Sequence, residues 1–76
     1  MTLAERIYEL GHDFDPFETP DVDKKIITYS IDVQLSSREP DGLIEWMNNI
    51  IDDGDPLYVD RAKELLKEIN MIKEGN

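Results

Sequence analysis

The stretch "KKIITYSIDVQLSS", Lys24 to Ser37, decides how this chain is read. Ile27, Tyr29, Ile31, Val33 and Leu35 take alternate positions, and Thr28, Ser30, Asp32 and Gln34 fill the gaps. Alternation with period two is the pattern of a half-buried strand, and it predicts one over Lys25 to Leu35. A strand cannot satisfy its own backbone N–H and C=O groups, so this one needs a partner. Nothing else in the sequence reads as β. Residues Phe17 to Val22 could supply it, although Pro20 interrupts the ladder. A second copy could pair across a two-fold axis, or another protein could be engaged by strand addition. The expectation is a homodimer, with Ile27, Tyr29, Ile31 and Val33 on the dimerisation face.

Around the strand the pattern is helical. Thr2 and Glu5 have the spacing of a capping box, and Leu3, Ile7 and Leu10 follow as one stripe, predicting a helix over Leu3–Leu10 that stops at Gly11. Leu43, Ile44, Met47, Ile50 and Ile51 repeat at helical spacing, with Ser37 or Glu39 as cap, Pro40 in the first turn and Gly54 beyond the end. Trp46 lies at the edge of that stripe, open to a core or an interface role. Asp55 and Pro56 then make a strong start signal for a last helix, as N-cap and N1 residue. Tyr58, Ala62, Leu65, Leu66, Ile69 and Ile72 form its apolar face. The predicted fold is therefore α+β: one small domain over residues 1–76, with a short helix, a long strand and two antiparallel helices.

Between the first helix and the strand lies "GHDFDPFETPDVD", residues 11–23, with five acids and no base. That is long for a structureless connection in a compact domain. Phe14 and Phe17 argue against a simple solvated linker: they either cap the core or anchor a partner, with the carboxylates steering it.

The acidity extends to the whole chain. Its 76 residues carry 18 acids against 8 bases, a formal charge of −10. Such a surface disfavours direct contact with nucleic acid or anionic lipid, whose binding relies on lysine and arginine, and favours a basic protein surface as partner. The absence of cysteine excludes disulfides and thiolate zinc sites and fits a reducing compartment. "MTLAERIYEL" lacks the apolar core of a signal peptide, and no apolar run reaches the ~20 residues needed to span a bilayer. A cytoplasmic location is expected.

Catalytic chemistry is not visible. His12 beside Asp13 has the makings of an oriented general base, but no nucleophile, phosphate loop or second titratable partner accompanies it. "DFDPFE" begins like a calcium loop, yet the glycine at position six and the glutamate at position twelve are missing. Neither an enzyme nor a cofactor or metal site is predicted.

The order "KKIITYSIDVQL" followed by "LIEWMNNIIDDGDPLYVDRAKELLKEI" resembles the layout of ribbon-helix-helix repressors, in element order and without a specific motif. That resemblance implies a DNA-binding regulator whose paired strands enter the major groove. Thr28, Ser30, Asp32 and Gln34 would then face bases, but they include an acid and no arginine, and Asp53 and Asp55 would face phosphate. The charge instead favours an acidic protein-binding module: an inhibitor or nucleic-acid mimic of the kind phages and mobile elements encode. It would occupy the basic groove of a nucleic-acid-handling protein. The expected contact residues are Asp13, Phe14, Asp15, Phe17, Glu18, Asp21 and Asp23, together with Asp52, Asp53 and Asp55.

Overall fold

The computed structural model of the chain describes residues 1–17 and 21–75, with the Asp21 side chain excepted. The described residues form four helices: α1 Leu3–Phe14, α2 Lys24–Ser36, α3 Asp41–Asp53 and α4 Pro56–Lys73. A 3₁₀ turn, Asp21–Asp23, leads into α2. None of them is a strand, so the fold is all-α and the α+β expectation is wrong.

The segment predicted as a strand, Lys25 to Leu35, is helix α2. A helix satisfies its backbone within itself, which removes the need for a partner that a lone strand has. The β-branched residues oppose this by only a few tenths of a kcal/mol each. Tertiary packing offsets that cost. Ile31 and Leu35 are buried, and Ile27 packs against the core one turn earlier. At about 100° per residue, these three lie within about 80° of one another on the helix surface. Tyr29 and Val33, which a strand would place beside them, are exposed on the other side. The ribbon-helix-helix layout, which needs a strand here, is lost with it.

α1 begins as its sequence predicts. Thr2 Oγ1 accepts the Glu5 N–H at 3.1 Å, and Glu5 Oε1 accepts the Thr2 N–H at 3.1 Å. Gly11, however, does not end the helix, which runs one further turn to Phe14. Its role is close approach. The Trp46 ring of α3 lies directly against it, and a Cβ at this position would sit 2.0 Å from Trp46 Cζ2. α3 ends at Gly54, which takes the left-handed conformation (φ 79°) suited to glycine. Asp55 then caps α4, its Oδ1 accepting the Leu57 N–H at 3.0 Å.

α3 and α4 form a tight helical hairpin, while α1 packs on both α2 and α4. The shared core holds Ile7, Tyr8 and Leu10 of α1, Ile31 and Leu35 of α2, Leu43, Met47 and Ile50 of α3, and Ala62, Leu65 and Ile69 of α4. Ion pairs tie the rim: Arg6–Glu68 at 2.9 Å, Lys24–Glu9 at 3.0 Å, Arg61–Asp13 at 3.1 Å and Lys73–Asp41 at 2.6 Å. All are partly exposed, so solvent screening keeps the contribution of each small. The Glu9 hydrogen bond raises the pKa of Lys24, whose ammonium also lies 5.6 Å from the Tyr8 ring centroid.

Candidate interaction surfaces

Two acid-rich segments that are far apart in sequence meet at one end of the bundle. The last turn of α1 lies against the first turns of α4. Phe14 packs edge-on to Tyr58, with centroids 5.5 Å apart, and Arg61 donates to Asp13 Oδ2 at 3.1 Å. The α3–α4 turn carrying Asp52, Asp53 and Asp55 is at the same end, since Asp55 precedes Tyr58 by one helical turn. Packing of α1 on α4 thus gathers acids from both candidate segments.

Their individual states differ. Asp13 is engaged by Arg61, and Asp55 is committed to its cap. The Oδ1 of Asp15 accepts the Phe17 N–H at 3.1 Å, turning the chain out of α1. Asp52 and Asp53 are exposed at the C-terminal end of α3, where the helix dipole makes negative charge costly. Phe14 belongs to the periphery of the core, whereas Phe17 is 95% exposed. Asp23 is exposed before α2 and makes no side-chain cap bond. Glu18 and the side chain of Asp21 lie outside the described residues.

The expected dimerisation residues do not share one face. Ile31 is core and Ile27 half-buried, while Tyr29 and Val33 point outward. They are joined there by two residues the alternating pattern passed over, Val22 and Ile26, which are 90% and 71% exposed. The 22, 26, 29, 33 spacing is a heptad seam, legible once the segment is taken as a helix. Beside the seam, an open groove of ≈ 580 Å³ separates α2 from α3, with Ile26, Ile27, Ile31, Leu43 and Trp46 on its walls. Trp46 is half-buried: it contributes to the core periphery and also lines this groove.

Chemistry remains sparse. His12 stacks on Tyr8, with centroids 5.7 Å apart, and its neighbour Asp13 is paired with Arg61. Among the described residues, no group of three or more His, Cys, Asp or Glu is placed to hold a metal ion. No described helix is long and apolar enough to cross a membrane. No protein-family model, curated protein or solved structure matches the chain.

Proposed function

We propose that this chain is a small cytoplasmic protein-binding module without catalytic activity, which occupies the basic groove of a nucleic-acid-handling protein. The observation that supports this reading is the convergence of acids from α1 and the α3–α4 turn at one end of the molecule, next to the exposed Phe17. Asp15, Asp52 and Asp53 stand in for phosphates, and Phe17 fills an apolar notch beside the cationic track. Carboxylates steering toward lysine and arginine give fast, salt-sensitive association.

The test is affinity capture from a cell extract at about 50 and about 500 mM salt, a range that spans strong and weak screening. The same captures are repeated with excess duplex DNA and with a triple variant, Phe17→Ala, Asp52→Asn, Asp53→Asn. A protein that is retained at low salt, released by DNA and lost with the variant supports the reading. Retention that is indifferent to salt and to DNA contradicts it.

A further inference from the structure

We infer that the outer face of α2 is a self-association surface, on which a second copy of this chain packs antiparallel across a two-fold axis. Four exposed apolar residues form the seam: Val22 in the 3₁₀ turn, and Ile26, Tyr29 and Val33 on α2. Within α2, Ile26, Tyr29 and Val33 span about 60° of the helix surface, nearly opposite the face that packs inward. A helix that is apolar on two opposite sides has one more surface to cover than its own fold supplies.

The spacing of the seam residues matches its own reverse. In antiparallel register, Val22 meets Val33 of the second copy and Ile26 meets its Tyr29, with the axis between residues 27 and 28. Every seam residue then faces an apolar counterpart.

The flanks complement each other as well. Heptad positions put Lys25 and Asp32 on one side of the seam and Asp23 and Ser30 on the other. Antiparallel pairing brings Lys25 of each copy to Asp32 of the other, giving two ion pairs, and sets Asp23 against the neutral Ser30. Parallel pairing would place both Lys25 and Asp32 opposite serines and gain no ion pair.

These flanks also argue against a basic partner at this face. One lysine and two aspartates border the seam, a nearly balanced set on a chain of charge −10. The arrangement is isologous and closes on itself, so it stops at a dimer. Four apolar residues per copy cover less than the ~800 Å² per partner of a standard interface. Association is accordingly weak, with half-dimerisation between about 0.05 and 1 mM.

Sedimentation velocity on the whole chain, from about 10 µM to about 1 mM at moderate salt, tests this range. The sedimentation coefficient rises with concentration for the wild-type chain. Tyr29→Glu, at a position 72% exposed in the monomer, remains monomeric with unchanged helical circular dichroism. Lys25→Glu weakens association by about tenfold. Asp32→Lys also weakens it, although it lowers the net negative charge, and the double swap restores it to within about threefold. A chain monomeric throughout, a Tyr29→Glu variant that associates like the parent, or a double swap as weak as its singles would each overturn the inference.

Discussion

α1 and α2 pack against each other and are similar in length, yet they use their apolar residues in opposite ways. α1 gathers Ala4, Ile7, Tyr8, Leu10 and Gly11 into one buried region, with a polar remainder. α2 buries only Ile31 and Leu35 fully and sends Ile26, Tyr29 and Val33 outward. Their starts differ too: α1 has a complete capping box, whereas no side chain caps α2. A helix with one apolar face announces its period in the sequence, while one with two opposed faces hides it.

A pair of truncations within α2 separates its two faces by the largest expected effect. Ile31→Ala should cost about 2–4 kcal/mol, because it opens a cavity in the core. Tyr29→Ala, two positions away on the opposite face, should cost less than about 0.5 kcal/mol in dilute solution. Urea unfolding of both variants checks the difference, and similar costs would contradict the two-faced assignment.

Next in size is Gly11→Ala in α1. Alanine ordinarily gains about 1 kcal/mol over glycine inside a helix. Here its Cβ would meet the Trp46 ring at 2.0 Å, and overpacking of this kind costs about 1–3 kcal/mol. Net destabilisation, accompanied by a changed tryptophan emission, is the expected outcome of a urea titration followed by fluorescence.

Smaller again is the contrast between the two helix starts. Thr2→Ala should cost about 1 kcal/mol through loss of the capping box, and Asp23→Ala should change stability by less than about 0.5 kcal/mol, because there is no cap bond to remove. Thermal midpoints of the two variants measure this directly.

The least of these effects is a pH dependence. Hydrogen bonds from the Thr2 backbone, then from its side chain, hold the Glu5 pKa below its ordinary 4.5. A lowered carboxylate pKa contributes stability above the unfolded-state value, and this is lost as pH falls through the folded-state value. The stability difference between wild type and Glu5→Gln should therefore shrink as pH falls from about 5 toward about 3.

Three of the four helices were legible in the sequence because local chemistry marks one end of each; the cap expected for α3 at Ser37 or Glu39 is not there, since Pro40 takes the N-cap position and no side chain caps the helix. Thr2 with Glu5, Gly54, and Asp55 with Pro56 act within a turn of where they stand, whatever the tertiary context. Gly11 misled because a glycine after an apolar stripe looks like a stop, and its actual purpose depends on Trp46, a residue of another helix. α2 misled for a geometric reason. Ile27, Ile31 and Leu35 on one face, interleaved with Tyr29 and Val33 on the other, add up to the alternation of a strand. The missing signal was Ile26 together with Val22, which break the alternation and complete a heptad.

The acidic residues themselves were plain in the sequence. Their meeting was not, since it depends on α1 running on to Phe14 and packing there against Tyr58.

The most direct test of the two-faced helix is the set of backbone Cα chemical shifts over residues 24–36, measured by NMR on dilute chain. Uninterrupted helical displacements are expected from Lys24 to Ser36, with slow amide exchange at Ile31 and Leu35. Extended-chain displacements across the same residues would contradict the helical assignment.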